Sequence, residues 1–225
     1  MGERRRFRGR IAGVGSTSGV RVVVGWWLET PFGPFADVML ERPDGHRVLL
    51  APSEQVAELV STTYTFDEVR LEPVTVAGAP LSRPMRHASG PHPHGSPATL
   101  KVPLSGWSVA TPSLSLALDV GGRTPLGRLL RLVPRPVATS PGFATLADPV
   151  ARLLLRGVRT RGVARAGRRE YYGATDVRGV IGMHGSFDGL DLGALAAVDP
   201  PCRFGFSSTP RRPSVTEVST TIVDA

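Results

Sequence analysis

The chemically most capable part of the chain is the segment of residues 169–191, which combines phenol, guanidinium, imidazole and carboxyl side chains. Because alternate residues of a β-strand face the same side, a strand here places Arg178 and His184 on one face. Tyr171 lies on what we predict to be the preceding strand. A tyrosine, an arginine and a histidine that meet inside a curved sheet suit the binding of an anion or a carbonyl group. The alternative is an ordinary polar strand surface.

A second group of candidate residues lies near the N-terminus, where Trp26 and Trp27 are adjacent. In a strand they point to opposite faces, so we predict that one packs in the core and the other lines a pocket. The next predicted strand carries Phe35 and Asp37. The predicted ligand-binding residues are Trp27, Phe35, Asp37, Tyr171, Arg178 and His184.

Two functions fit these residues. The first is the binding of a small, partly apolar or anionic molecule in a pocket of a curved β-sheet. The second is an enzyme on the same scaffold, in which His184 and a carboxylate such as Asp37 or Asp176 act as acid and base.

Metal and cofactor sites are not expected. His87, His92 and His94 lie in a Pro/Gly/Ser/His-rich stretch without an acidic neighbour, whereas a metal site needs fixed geometry. The glycine-rich residues 13–19 precede a strand pattern, whereas a dinucleotide-binding loop precedes a helix. Cys202 is the only cysteine and is predicted to be buried and structural.

The charge distribution suggests a third function, the binding of nucleic acid or of a protein partner. The formal net charge is +8, and residues 123–178 hold twelve arginines and three acidic residues. This hypothesis predicts a salt-sensitive affinity that depends on Arg156, Arg159 and Arg161. However, Lys101 is the only lysine, and such an arginine bias is typical of a high-GC, actinobacterial genome. We therefore favour codon bias over nucleic-acid binding as the origin of the charge.

The cellular location is predicted to be the cytoplasm. A single cysteine excludes an intramolecular disulfide, which is natural in a reducing compartment. The arginines at positions 4–6 resemble part of a twin-arginine signal, but Arg21 and several hydroxyl residues interrupt the apolar region that should follow. No apolar run approaches the roughly 20 residues of a membrane span, so no membrane partner is expected.

The elements that must position the candidate residues follow from hydrophobic spacing and turn chemistry. Strands are predicted at residues 4–14, 20–28, 35–41, 48–50, 66–76, 114–120, 158–165, 169–174, 177–187, 202–207 and 215–223. Helices are predicted after Ser53, after Thr124 and over residues 141–155, and the two hydroxyl residues supply N-cap oxygens. Because helices do not alternate with strands, we predict an α+β fold: a strongly curved antiparallel sheet or partly closed β-barrel, packed by two or three helices. The chain is predicted to form a single domain over residues 1–225, with a flexible loop at 78–99.

Residues 30–35, with the sequence TPFGPF and a strand after them, resemble a motif of acetoacetate decarboxylase-like proteins. That family has a curved antiparallel β-cone, and the resemblance implies such a scaffold with an enclosed pocket. Its paired catalytic lysines are missing, because Lys101 is followed by Val102. The resemblance therefore implies the scaffold and the pocket, and it does not imply decarboxylation.

Overall fold

The computed structural model describes residues 4–78, 106–154, 158–163 and 169–223. Its strands are β1 (Arg4–Ser16), β2 (Arg21–Glu29), β3 (Phe35–Glu41), β4 (Arg47–Ala51), β5 (Glu68–Leu71), β6 (Thr75–Gly78), β7 (Gly106–Ala110), β8 (Leu114–Arg123), β9 (Arg161–Val163), β10 (Arg169–Phe187), β11 (Leu190–Asp191), β12 (Leu195–Ala196) and β13 (Ser214–Val223). Its helices are α1 (Glu54–Ser61), α2 (Pro125–Leu130), α3 (Arg135–Ala138) and α4 (Pro141–Leu154). The stretch 79–105, which contains nearly all of the predicted loop, its three histidines and Lys101, lies outside the described residues, as does Arg156.

The strands form one sheet in the order β5-β4-β3-β2-β1-β13-β10-β8-β7-β6. Neighbours on this path are antiparallel except β4 and β5, which run parallel. Three further strands attach at the sides: β9 and β11 pair with β10, and β12 pairs with β1. Because β13 lies between β1 and β10, the C-terminal strand joins the two halves of the sheet.

Local sequence explains the elements that were predicted correctly. The turn between β3 and β4 places Gly45 at φ +90°, a conformation that glycine adopts without steric cost. Ser53 caps α1 by accepting a hydrogen bond from the backbone N–H of Val56, and Thr124 caps α2 in the same way through Gly127. These turns and caps are short-range signals, which is why the sequence reveals them.

The sheet curls strongly, as the contact between two tryptophans shows. Trp26 on β2 and Trp107 on β7 stand five strands apart, which is about 24 Å in a flat sheet. Their rings nevertheless pack edge to face with centroids 5.2 Å apart. The face that carries them is therefore the inner face of a half-barrel, and the predicted α+β fold with a curved sheet is confirmed.

Ion pairs join the edge strand β5 to the turn that follows β10. The Arg70 guanidinium lies 2.6 Å from the Asp188 carboxylate, and Arg42 lies 2.9 Å from the same group. Both guanidinium groups also lie over the ring of Phe187, 5.4 Å from its centroid. These contacts hold the two regions together across the curl.

The two faces of the sheet carry separate hydrophobic clusters. The inner face holds the larger one, with Val22, Val24 and Leu40 among its fully buried members. The outer face holds a second cluster, in which Val23 and Met39 pack beneath α1 and the segment of residues 198–204. Strand alternation accounts for this division, because consecutive residues of β2 and β3 enter different clusters.

Three strand predictions were wrong. Residues 66–76 form two strands at opposite edges of the sheet, because Pro73 lacks an N–H group and Glu72 instead accepts hydrogen bonds from Ser113. Residues 169–174 and 177–187 belong to one strand of 19 residues with β-bulges. Residues 202–207 are a loop, in which the N–H groups of Cys202 and Arg203 donate to the side chains of Ser208 and Glu41.

Among the helices that the structure describes, none combines the length and the apolar character that crossing a bilayer requires.

Candidate functional site

A cavity of about 190 Å³ lies on the outer face of the sheet. Its floor consists of outer-face side chains of β1, β2, β3, β13 and β10. Its cover consists of α1 with the turn that follows it, residues 158–160, and the loop of residues 202–210. Most of the lining is apolar, with Phe7, Ile11, Met39, Leu59 and Ile222 among the walls. We call this space the outer cavity.

One polar group of the outer cavity is the pair formed by Trp27 and Asp37. The Trp27 Nε1–H donates a hydrogen bond of 3.0 Å to Asp37 Oδ1. Asp37 is only 3% exposed. Burial raises the pKa of its carboxyl to about 7, although the hydrogen bond from Trp27 acts in the opposite direction. Asp37 therefore changes between its neutral and charged forms near neutral pH.

Gly25 makes the close approach of these two side chains possible. A Cβ atom at this position would stand 2.4 Å from Asp37 Oδ1 and 2.7 Å from Trp27 Nε1. Both distances are shorter than van der Waals contact allows. Only glycine leaves room here for the hydrogen bond between the indole and the carboxyl.

A chain of hydrogen bonds connects the cover of the outer cavity to its floor. The Tyr172 hydroxyl donates to Glu170 Oε2 at 2.8 Å, and the hydroxyls of Tyr64 and Tyr172 lie 2.7 Å apart. Since the Tyr172 proton is directed to Glu170, the Tyr64 hydroxyl donates to Tyr172. Thr63 donates to the other oxygen of Glu170. The chain thus fixes the turn after α1 onto β10.

Both phenols remain protonated at physiological pH. Burial raises the pKa of Tyr64 and of Tyr172, and the negative charge of Glu170 raises both pKa values further. The two tyrosines are therefore hydrogen-bonding groups rather than acids. The Tyr64 oxygen, which donates its proton to Tyr172, keeps lone pairs with which it can accept a hydrogen bond.

Three hydroxyl groups on the outer cavity have no hydrogen-bond partner among the described residues. They belong to Thr209, Ser214 and Thr220, and the last two residues are each 4% exposed. Buried polar groups in proteins are nearly always hydrogen-bonded. These three hydroxyls are therefore unsatisfied polar groups of residues that line the cavity.

Cys202 also lines the outer cavity, but its thiol is unreactive. Burial and the nearby charge of Glu41 raise the pKa of its thiol to about 12. A thiol with such a pKa stays protonated and is a poor nucleophile. It serves as part of the apolar wall, and its burial agrees with the sequence-based prediction.

Three of the six predicted ligand-binding residues lie together. Trp27, Phe35 and Asp37 line the outer cavity, and the rings of Trp27 and Phe35 have centroids 6.4 Å apart. Trp26 packs against the inner cluster instead, so the two adjacent tryptophans separate as predicted.

The other three predicted residues lie elsewhere. Tyr171 lines a second cleft. The adjacent Tyr172 faces the outer cavity, and consecutive residues of a strand point to opposite faces. His184 is exposed, since the bulges near Val180 shift the register and turn Met183 inward. Arg178 is half-buried, in register with Val215, and it does not line the outer cavity.

The acid and base pair suggested for His184 does not form. His184 and Asp176 are eight residues apart on one strand, which corresponds to about 26 Å. The Asp176 carboxylate is instead bound by Arg123, with Nε–O distances of 2.8 and 2.9 Å. Asp37 lies on the outer cavity, which His184 does not line.

Sequence reasoning missed Tyr64, Glu170, Tyr172, Ser214 and Thr220. Two of these had a usable signal, because Glu170 and Tyr172 alternate on one face of a strand with Ala174. Tyr64 had no such signal, since it lies in the turn that follows α1 and reaches the site through tertiary packing. Within the described part of the chain, no group of His, Cys, Asp and Glu side chains is arranged to hold a metal ion.

No protein-family model, curated protein or solved structure matches the chain. The resemblance of residues 30–35 to acetoacetate decarboxylase-like proteins therefore stays a prediction.

Proposed function

We propose that the protein binds a small, mostly apolar molecule in the outer cavity. The observation that carries this proposal is the combination, in one apolar space, of a buried carboxyl group at Asp37 with the unpartnered hydroxyls of Ser214 and Thr220. Burying hydroxyl groups without hydrogen bonds costs stability. A ligand that carries a polar group would satisfy them.

The volume of the cavity limits the size of the ligand. A dry protein cavity of roughly 150 Å³ accepts a benzene molecule. A space of about 190 Å³ therefore suits a compact molecule of about ten non-hydrogen atoms. Ligands of this kind are held mainly by apolar contact, and a few polar groups fix their orientation.

The polar groups of the cavity favour one chemical class of ligand. Asp37 and Glu170 are both acidic and buried, and the Tyr64 oxygen is available as an acceptor. These groups attract a hydrogen-bond donor, such as an alcohol or an amine, and they repel an anionic group. We therefore favour the partly apolar ligand over the anionic one for this cavity.

Native mass spectrometry of the gently purified protein tests the proposal. Ala174 lines the cavity, so Ala174→Leu should fill part of it, whereas Ala110 is exposed on β7 and Ala110→Leu is the matched control. We expect a bound species of defined mass in the wild-type protein and the control, and its loss in Ala174→Leu.

Two outcomes contradict the proposal. The first is a bound species that Ala174→Leu retains unchanged. The second is an unliganded wild-type protein whose melting temperature does not respond to any small alcohol or amine in a fragment screen.

Acid/base catalysis is a second candidate function, and Asp37 is the residue that supports it. A buried carboxyl group with a pKa near 7 is well suited to transfer protons at neutral pH. If the ligand found by mass spectrometry is a substrate, the wild-type protein should convert it and Asp37→Asn should bind it without conversion. Equal conversion by both proteins would exclude this role for Asp37.

A further inference from the structure

A second cleft lies beside β9 and the beginning of β10, and it differs in chemistry from the outer cavity. Its volume is about 480 Å³, and it is lined by Arg159, Arg161, Gly162, Arg169, Tyr171 and Phe206. We call it the arginine cleft. Three guanidinium groups and two aromatic rings around one concave surface are the side chains with which proteins bind phosphorylated aromatic molecules.

Strand pairing brings the principal groups of this cleft together. β9 and β10 are antiparallel, and Arg161 is directly opposite Tyr171 in their register. Side chains of directly opposed residues lie on the same face and about 5 Å apart at their Cβ atoms. Arg169 is two residues before Tyr171 and so shares that face. Glu170 lies between them and points to the opposite face, where it lines the outer cavity.

Asp148 fixes the segment that carries two of the arginines. Its carboxylate accepts hydrogen bonds from the backbone N–H groups of Thr160, at 2.9 Å, and of Arg161, at 3.3 Å. It also forms an ion pair of 3.0 Å with the Arg159 guanidinium. The segment that leads into β9 is thus anchored to α4 before a ligand binds. This anchoring lowers the entropic cost of binding, because the segment is already ordered.

The charge of the cleft is not neutralised internally. Asp148 compensates Arg159, but Arg161 and Arg169 form no ion pair with an acidic side chain in the described ranges, and both are exposed. About two positive charges therefore face the solvent. A phosphate monoester carries a charge of about −1.5 to −2 at pH 7 and accepts charge-assisted hydrogen bonds from guanidinium groups.

The aromatic residues define the rest of the ligand. Tyr171 and Phe206 are half-buried, so each exposes part of its ring to the cleft. The Phe206 ring is held from behind by Tyr172 and Tyr64, with centroid distances of 5.9 and 6.4 Å. Rings held in this way offer a stacking surface to a planar base.

From these contacts we infer that the arginine cleft binds an aromatic phosphate monoester of the nucleoside monophosphate type. Arg161 and Arg169 hold the phosphate group, and Tyr171 stacks on the base. The same chemistry occurs in a free nucleotide and at the 5′-phosphorylated end of a single-stranded nucleic acid. This site adjoins the outer cavity, because Arg159 lines both, but the inference does not depend on the function proposed for that cavity.

Isothermal titration calorimetry of the full chain with AMP at low ionic strength tests the inference. We expect AMP to bind more tightly than adenosine, which lacks the anion, and more tightly than inorganic phosphate, which lacks the base. Arg161→Gln and Arg169→Gln should each weaken AMP binding by about tenfold or more, since each removes charge-assisted hydrogen bonds. Tyr171→Leu should weaken binding of AMP and leave that of inorganic phosphate unchanged.

Arg128→Gln is the matched control, because Arg128 is an exposed arginine of α2 that does not line the cleft. It changes the net charge by the same amount and should leave AMP binding unchanged. Absence of AMP binding overturns the inference, as does an equal effect of Arg128→Gln and Arg161→Gln, which would indicate nonspecific attraction. A short 5′-phosphorylated oligoadenylate distinguishes the two ligands. If it binds much more tightly than AMP and depends on Arg161 in the same way, the natural ligand is the end of a nucleic acid. If it binds with the same affinity as AMP, the natural ligand is the free nucleotide.

Discussion

The indole of Trp27 donates a hydrogen bond of 3.0 Å to the Asp37 carboxyl from the neighbouring strand. This bond is made on the wall of the outer cavity, where Asp37 has lost nearly all contact with solvent. Burial favours the neutral carboxyl, and the indole N–H favours the charged one. The balance of the two effects gives Asp37 a pKa near neutrality, and several measurable properties depend on it.

Removing the indole N–H should raise the pKa of Asp37 above its wild-type value of about 7. Trp27→Phe keeps an aromatic ring and eliminates the donor, so only the effect of burial remains. The pKa can be followed by NMR titration of the carboxyl carbon in protein labelled at aspartate. Trp26→Phe is the control, because Trp26 packs against the inner cluster. A pKa that falls in Trp27→Phe, or that responds equally to Trp26→Phe, would contradict this assignment.

The free energy of unfolding should carry a contribution from Asp37 that decreases as the pH rises. Its pKa is about 7 in the folded state and near 3.8 in the unfolded state, so the folded protein binds more protons between these values. The contribution is greatest below pH 4 and is lost through pH 7, with a total of roughly 4 kcal/mol. Urea unfolding at pH 5 and pH 8 measures the larger part of this loss.

Asp37→Asn isolates this contribution from those of other carboxyl groups. Asp67 and Asp188 have pKa values lowered by hydrogen bonds from Arg47 and Arg70, so their stabilisation is lost toward acid pH, in the opposite direction. These groups are the same in the wild-type protein and the variant. Asp37→Asn should therefore gain stability relative to the wild type between pH 5 and pH 8. Parallel pH profiles of the two proteins would show that Asp37 is ionised throughout this range.

A methyl group at position 25 should disrupt the Trp27–Asp37 pair. In Gly25→Ala the new Cβ would lie 2.4 Å from Asp37 Oδ1, so one of the two side chains must move. We expect a loss of about 1–3 kcal/mol in the free energy of unfolding. Gly122→Ala is the control, since no atom lies within 4 Å of the Cβ position there. Equal stability of the two variants, measured by urea unfolding, would mean that Gly25 is not needed for the close approach.

The fold was predictable where short-range signals decide the structure. The turn at Gly45 and the caps at Ser53 and Thr124 depend on neighbouring residues, and each lies where the sequence places it. The separation of residues 66–76 into β5 and β6 was not predictable, because pairing with β4 and with β7 depends on partners far along the chain. A strongly curved sheet was predicted, but the strands that meet across the curl were not, since these contacts join strands that are distant in sequence.

The candidate site was predictable where strand alternation is undisturbed. On β2 and β3 the alternation is regular, and Trp27, Phe35 and Asp37 meet as predicted. On β10 the bulges change which side chains share a face, so the prediction failed for His184. A bulge inserts one unpaired residue and reverses the phase of the alternation, and hydrophobic spacing alone does not locate it.

Tyr172→Phe should destabilise the protein more than Tyr171→Phe does. The Tyr172 hydroxyl donates to Glu170 and accepts from Tyr64, both inside the outer cavity. Its removal deprives the buried carboxylate of one donor and leaves the Tyr64 proton without its acceptor, at a cost of about 1–3 kcal/mol. Tyr171 is the adjacent residue on the opposite face, where its side chain lines the arginine cleft. Within the part of the chain that the structure describes, its hydroxyl is not part of such a hydrogen-bond chain. Urea unfolding of both variants at pH 7 measures the difference. Equal stability of the two variants would mean that the hydrogen-bond chain from Tyr64 to Glu170 does not hold the turn after α1 on β10. The cover of the outer cavity would then be fixed by apolar packing alone.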